Sequence, residues 1–209
     1  MNRILSIAAI VALVTTLSFA QEGGPKFGIR AGFSFYDASS GEKELDKYVD
    51  MGYGFGGGLV KNIPITSSLS FAPEVSLLYR KIYNFDAKPL ADYEAWETEF
   101  AVSIPVMFQF TPVEDVPFYL AAGVQLDIPI APELTNKVSG VEVIEDWSSR
   151  ASIDFGIPLG LGYFITPNLG IDFRAVFVIT NPGNLYLAWQ YLLDDVSYNK
   201  YGVGVTYFF

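Results

Sequence analysis

The feature that most constrains this chain is a period-two alternation of apolar residues with polar or small ones, which recurs from residue 23 onward. In one segment Leu169, Ile171 and Phe173 alternate with Asp172 and Arg174. Only a strand places two such sets on opposite faces. Eight segments of this kind are separated by turn residues: 26–36, 52–62, 69–83, 96–110, 117–128, 150–164, 168–180 and 198–209. Their lengths exceed those of most soluble strands and suit strands that cross a membrane at a tilt.

The composition supports a membrane location without helical spans. Hydrophobic residues make up 51% of the 209 residues and aromatic residues 16%. Past the first twenty residues, however, no apolar run approaches the roughly 20 residues that a membrane helix needs. A chain this apolar fits a membrane β-barrel, because a closed ladder pairs every backbone polar group away from water.

The connections between the segments alternate in length. Short connections are predicted at 63–68, 111–116 and 165–167, and long ones at 37–51, 84–95, 130–149 and 181–197. Short turns on one side and long loops on the other are typical of an outer-membrane barrel, with the short turns in the periplasm. The predicted fold is therefore all-β: an eight-stranded antiparallel up-and-down transmembrane β-barrel.

The first twenty residues predict a secretory signal peptide. Arg3 provides the positive n-region, residues 4–17 are largely apolar, and Ser18 and Ala20 are small residues at the cleavage positions. Cleavage would leave Gln21 first, so we expect a signal peptide over 1–20 and a barrel domain over 21–209. The alternative, a membrane anchor, is disfavoured because the apolar stretch is short. The chain has no cysteine, which excludes a lipoprotein signal.

Glycines and prolines inside the predicted strands need a local explanation. Glycines alternate with Tyr53, Phe55 and Leu59, which fits the crowded inner face of a small barrel. A phosphate-binding loop is the weaker interpretation, because no helix and no Lys-Ser/Thr pair follow. Pro105 and Pro158 lack the amide proton that a ladder needs, and they predict local bulges.

Several short motifs, taken in order, resemble the outer-membrane β-barrel domain family, also labelled porin-family or PorT-like. The resemblance covers residues 27–209, and the stretch Pro-Glu-(Val/Leu)-x-x-Leu-Tyr at 73–79 is its most specific part. The motifs are FGIRAG at 27–32, LSFAPEVSLLYRK at 69–81, SIPV at 103–106, FYLAAG at 118–123, DFG at 154–156, GLGY at 160–163, Arg174, and Thr180 with Asn181. The resemblance implies an eight-stranded barrel in the outer membrane of a Gram-negative envelope, similar in architecture to the OmpA, OmpX and OmpW barrels. It implies little about activity.

The last strand ends in an aromatic pattern. Val203, Val205, Tyr207 and Phe209 share one face with Tyr201. A terminal aromatic on an alternating apolar face resembles the C-terminal signal that the outer-membrane assembly machinery reads. We therefore predict Tyr207 and Phe209 as the assembly signal, and that machinery as a partner during insertion into outer-membrane lipid.

The alternation of faces along the predicted strands places nine ionisable side chains inside the barrel. Each of them needs a partner or water there. Arg30, Glu74, Asp172 and Arg174 are expected in the periplasmic half, where their charges balance. The extracellular half is expected to hold one arginine and four carboxylates: Arg80, Glu97, Glu99, Asp127 and Asp154. A structural salt-bridge network with trapped water is the first interpretation. A polar path for ions or a small ligand is the second, although eight strands leave little interior space.

The residue inventory excludes several classes of function. The chain has no histidine, and the known outer-membrane barrel enzymes depend on one as a base or as its orienting partner. A two-carboxylate glycosidase remains the one formal possibility. Without histidine or cysteine we expect no zinc site, no metal and no cofactor. The net charge of −10, with no basic run, argues against nucleic acid as a partner.

The loops carry the remaining expectations. The acidic pairs Glu145–Asp146 and Asp194–Asp195 are interpreted as solvated charge rather than weak calcium ligands. The apolar part of 181–197 is either an interfacial segment or a flap over the barrel mouth. The predicted function is a non-enzymatic structural or interaction protein that displays four extracellular loops to an unidentified partner. The alternative is a narrow cation-preferring channel or small-ligand carrier.

Overall fold

The protein is described here by a computed structural model that covers residues 26–39, 46–86, 93–113, 116–146, 153–179 and 197–209. The predicted signal peptide and residues 181–196 of the predicted loop at 181–197 lie outside these residues. None of the described residues belongs to a helix long and apolar enough to span a membrane. The strands are β1 (Lys26–Ser39), β2 (Val49–Pro64), β3 (Leu69–Asp86), β4 (Tyr93–Phe110), β5 (Phe118–Pro129), β6 (Glu133–Val138), β7 (Val141–Asp146), β8 (Asp154–Thr166), β9 (Leu169–Val178) and β10 (Ser197–Phe208).

Eight of the ten strands form a closed antiparallel ring, so the predicted eight-stranded barrel is confirmed. Each of β1, β2, β3, β4, β5, β8, β9 and β10 pairs with its neighbours in that order. The ring closes where β1 pairs with β10, from Gly28 opposite Phe208 to Ser39 opposite Ser197. Closure removes both free sheet edges inside the membrane, as a spanning structure requires.

The prediction that 130–149 is one long loop was wrong. These residues contain the hairpin β6–β7, whose turn is made by Ser139 and Gly140 at φ values of 48° and 82°. Two positive φ values are the conformation that suits a two-residue hairpin turn. β6 pairs with residues 93–98 of β4, beyond the point where β4 leaves β5. The strand was missed because its partner is an extension of β4 that the sequence pattern did not predict.

The extracellular ends of β3 and β4 are longer than predicted. β3 and β4 each run for 18 residues, against predicted segments of 69–83 and 96–110. A register shift lies between Lys81 and Tyr83, which leaves Ile82 as an extra residue on β3 opposite β4. This bulge brings Tyr83 opposite Glu97. The upper parts of β2, β3, β4, β6 and β7 thus form a sheet that rises above the barrel wall.

The prediction of bulges at the two interior prolines was wrong. The pairing of β3 with β4 is interrupted beside Pro105, between Pro73 opposite Val106 and Ser76 opposite Ser103, but resumes in the same register. Pairing of β5 with β8 is likewise interrupted beside Pro158 and resumes unchanged. Each proline lacks an N–H toward one neighbour only, so one side of the ladder loses hydrogen bonds while the other holds the register.

The two faces of the barrel wall follow the predicted parity. Large apolar side chains point outward, as Leu161, Phe173 and Val203 show with exposures of 49%, 41% and 56%. Their neighbours on the same strands point inward, and Val176 is only 3% exposed. An outward apolar band opposite a polar interior is the arrangement that lipid on one side and a filled lumen on the other require.

This division predicts different effects of two substitutions on β9. Phe173→Arg places a charge against hydrocarbon and should cost about 2–4 kcal/mol near mid-bilayer. Val176→Thr, on the inner face of the same strand, should cost much less. Gel-shift unfolding in lipid vesicles measures both. Equal losses, or a larger loss for Val176→Thr, would contradict the assigned faces.

Candidate functional site

The periplasmic half of the interior holds a closed four-residue ion cluster. The Arg30 guanidinium lies 2.7 Å from Asp172 Oδ1 and 3.7 Å from Glu74 Oε1. Arg174 lies 2.8 Å from Glu74 Oε2 and 2.9 Å from Asp172 Oδ1. The Ser76 hydroxyl donates a further hydrogen bond of 2.5 Å to Glu74. Each carboxylate is thus shared between both arginines, and the two positive and two negative charges cancel.

The extracellular half of the interior is organised around Arg80, which is fully buried. Its Nε donates to Glu99, and its Nη2 lies 2.7 Å from Asp154 Oδ2. Its Nη1 donates to the Tyr198 hydroxyl at 2.8 Å and lies 3.4 Å from Asp127. The Tyr198 hydroxyl in turn donates to Asp154. One planar, five-donor guanidinium therefore holds groups from four strands in a fixed arrangement.

This upper cluster carries more negative than positive charge, but less than was predicted. Lys200, which the sequence analysis did not include, lies 4.0 Å from Asp127 Oδ2, and Gln125 Nε2 donates to both Asp127 oxygens at 2.9 and 3.0 Å. Two cations therefore face four carboxylates, rather than one. Within the described residues Glu97 forms no ion pair, and Asp154 Oδ1 is buried without a hydrogen bond.

A small cavity lies between the two clusters in the described part of the lumen. Its volume is about 30 Å³, enough for about two water molecules. Its walls are Arg30, Glu74 and Arg174 on one side, and Gln125 and Lys200 on the other. The serines among its lining residues are Ser34, Ser76 and Ser103. The polar walls suit trapped water, and the volume leaves no room for a larger solute.

Apolar layers lie beyond both clusters along the lumen, and neither layer was predicted. On the periplasmic side the rings of Tyr119 and Phe164 lie 5.3 Å apart, and Phe164 and Phe208 lie 6.1 Å apart. On the extracellular side a buried core packs against the ion cluster: Tyr36, Ile82, Tyr83, Phe85, Tyr93, Ala95, Leu134 and Tyr198. The alternation of side chains along β1 and β10 could have indicated Tyr36 and Tyr198, because both lie on the inward face of their strands.

Glycine on the inner wall makes space for these side chains. A Cβ atom on Gly204 would collide with the Arg30 guanidinium, and one on Gly162 would collide with the Tyr119 ring. The glycines thus set how far each long side chain extends across the lumen. This explains the alternation of glycine with large apolar residues in the sequence.

The remaining predicted residues lie away from the interior. Tyr207 and Phe209 face outward with exposures of 49% and 69%. Glu145 and Asp146 lie on β7, outside the membrane, while Asp194 and Asp195 lie outside the described residues. In the part of the chain that the structure describes, no group of three or more acidic side chains is placed to hold a metal ion.

A closed eight-stranded ring, an outward apolar band and an ion-paired interior define the class of small outer-membrane β-barrels. The family model described as "Outer membrane protein beta-barrel domain" matches residues 6–209, and the chain belongs to this family. The resemblance drawn from the sequence motifs is therefore confirmed. The protein is located in the bacterial outer membrane.

Solved structures are similar to this chain at low sequence identity. A major outer membrane protein from Thermus thermophilus is 15% identical, with 89% of this chain and 100% of that chain covered and a TM-score of 0.55. Neisserial surface protein A is 18% identical, with 89% and 99% covered and a TM-score of 0.49. The attachment invasion locus protein Ail of Yersinia pestis is 16% identical, with the same coverage and TM-score. The search of curated proteins found no match.

Because the two clusters are buried, we predict that their ion pairs contribute much more to the free energy of unfolding than an exposed ion pair does. Arg174→Ala should destabilise the barrel by about 3–5 kcal/mol, because Glu74 and Asp172 stay buried with one arginine between them. The control is Lys137→Ala, which removes an exposed pair with Glu94 at 3.6 Å and should cost less than about 1 kcal/mol. Urea unfolding followed by tryptophan fluorescence gives both values. Similar losses would show that the inner cluster is not desolvated.

Proposed function

We propose that this protein is a closed outer-membrane scaffold with a structural or interaction role, which holds loops and a sheet extension outside the cell. The observation that carries the proposal is the filled lumen. Two ion-paired clusters and two apolar layers occupy it, and the cavity of about 30 Å³ between the clusters admits only water. A barrel of eight strands has an interior just wide enough for side chains or for one small ligand.

The extracellular side supports the interaction role. β3 and β4 continue past the barrel wall, and β6–β7 adds a hairpin to their sheet. All six residues of β7 are exposed. The barrel gives this sheet a rigid base, because the apolar core of Tyr36, Phe85, Tyr93 and Leu134 joins it to the strands below. Rigid strands that present exposed residues are suited to binding a partner.

A catalytic role does not fit the chemistry of the interior. The chain contains no histidine, and most of the interior carboxylates are held by arginines in short ion pairs. Groups held in this way are poor acids or bases, because proton transfer would leave a buried charge unpaired. We infer that the ion network stabilises the closed barrel.

We further propose that the outward-facing Tyr207 and Phe209 are read by the barrel-assembly machinery during insertion. Both side chains lie on the lipid face of β10, the strand that pairs with β1 to close the ring. A strand that must close last is a suitable element for recognition, because it still has a free edge until β1 joins it.

One observation favours the alternative of a narrow cation-preferring path. Arg80 and Lys200 do not balance Glu97, Glu99, Asp127 and Asp154. An excess of carboxylates in a lumen attracts cations and repels anions. If water crossed the apolar layers during thermal opening, the upper cluster would make the path cation-selective.

Planar-bilayer recording distinguishes the two functions. The closed scaffold predicts that the unmodified protein gives no steady conductance steps, or steps far smaller than those of a general porin. Any residual current should be cation-selective in a salt gradient, and Glu97→Gln with Glu99→Gln should reduce that selectivity without unfolding the barrel. Large steady steps would favour transport, and anion selectivity would contradict the assigned interior.

A further inference from the structure

The outer edge of β7 is an open strand edge in the described part of the chain. β7 pairs with β6 on one side, and it ends the strand order of the sheet. Its apolar residues are strongly exposed: Val141 at 65%, Val143 at 50% and Ile144 at 59%. An exposed edge presents backbone N–H and C=O groups that a further strand can pair with.

The hairpin turn fixes which backbone groups point outward. In a two-residue hairpin the residues that flank the turn, here Val138 and Val141, form a hydrogen-bonded pair. Hydrogen-bonded and non-hydrogen-bonded pairs then alternate along the ladder, so Val143 bonds back to β6. Glu142 and Ile144 fall in the non-hydrogen-bonded pairs. They therefore direct their N–H and C=O groups to the open edge.

The side chains along this edge have a definite charge pattern. Glu142 and Glu145 flank Val143 and Ile144. The hairpin as a whole carries four carboxylates and one lysine, and that lysine, Lys137, already pairs with Glu94. Opposite charges and apolar pairs across neighbouring strands are favourable, whereas like charges directly opposite each other are not. A strand that adds here is therefore favoured when basic residues lie opposite the two glutamates.

We propose that β7 binds an extended segment of a partner protein by strand addition, and that the segment has the pattern basic–apolar–apolar–basic. This inference rests on the proposed interaction role and names the chemistry of its partner. The pattern reads the same in both directions, so it serves parallel and antiparallel addition alike. A second copy of this chain fits less well, because an antiparallel β7–β7 pair centred on Ile144 would place Glu142 opposite Asp146.

The test uses the purified protein in nanodiscs and a fluorescent peptide of Lys-Val-Ile-Lys repeats, with binding measured by anisotropy. Empty nanodiscs report binding to lipid alone. The unmodified protein should bind this peptide at least about tenfold more tightly than a Glu-Val-Ile-Glu peptide, with a gap that narrows as salt is raised. Equal affinity for the two peptides, or equal binding to empty nanodiscs, would overturn the proposal.

Two matched variants test the backbone pairing. Ile144→Pro removes an N–H from the open edge, a position where proline is tolerated because it breaks no bond to β6. Ile144→Thr keeps that N–H and is the control. Binding should fall at least about tenfold in the proline variant and stay within about twofold in the threonine variant, because main-chain hydrogen bonds supply the affinity in strand addition. Equal binding by both variants would overturn the proposal.

A charge reversal keeps the test decisive if the proline variant does not fold. Glu142→Lys with Glu145→Lys should switch the preference to the Glu-Val-Ile-Glu peptide, and an unchanged preference would contradict the proposal. Dimers that sedimentation detects in the unmodified protein and in Ile144→Thr, but not in Ile144→Pro, would assign the edge to a second copy instead. Failure of the peptide tests leaves the closed scaffold intact, whereas large steady conductance would remove the proposed function whatever the peptides do.

Discussion

The stability of the barrel depends on pairing the charged side chains that are buried inside the closed ring of strands. Around the ring each strand pairs with both of its neighbours, so the side chains decide what fills the interior. Among the described residues, ten acidic or basic side chains lie there, and an unpaired charge in such surroundings costs several kcal/mol. Arg30 and Arg174 share Glu74 and Asp172, while Arg80 holds Glu99, Asp127 and Asp154. These contacts link β1, β3, β4, β5, β8 and β9 across the lumen.

The other features of the barrel follow from this requirement. Glycine at 162 and 204 gives Tyr119 and Arg30 space to cross the lumen. Aromatic rings at the periplasmic end and the apolar core at the extracellular end exclude bulk water, which strengthens the ion pairs between them. The extracellular core also anchors the long ends of β3 and β4. The same packing that closes the barrel therefore supports the sheet that carries β7.

Period-two parity was enough to predict the fold and the inward direction of residues such as Arg30, Asp172 and Arg174, because a strand allows only two faces. It could not predict which residues meet, since Arg30 and Asp172 are 142 positions apart in the chain. Lys200 was missed although it lies in the predicted segment 198–209, and the parity that it shares with Gly202 could have indicated it. The bulge at Ile82 and the β6–β7 hairpin were missed because both depend on pairing with β4, which parity within one segment does not specify.

The central claim is that the two arginine-centred clusters close the barrel. Single-channel recording of the variant with both Arg80→Ala and Arg174→Ala tests it most directly, alongside the unmodified protein and a Lys137→Ala control. Folding of each sample is first established by heat-modifiable gel shift. The account predicts clear conductance steps in the double variant and none of comparable size in the other two. Steps of the same size in all three, or none in a folded double variant, would contradict it.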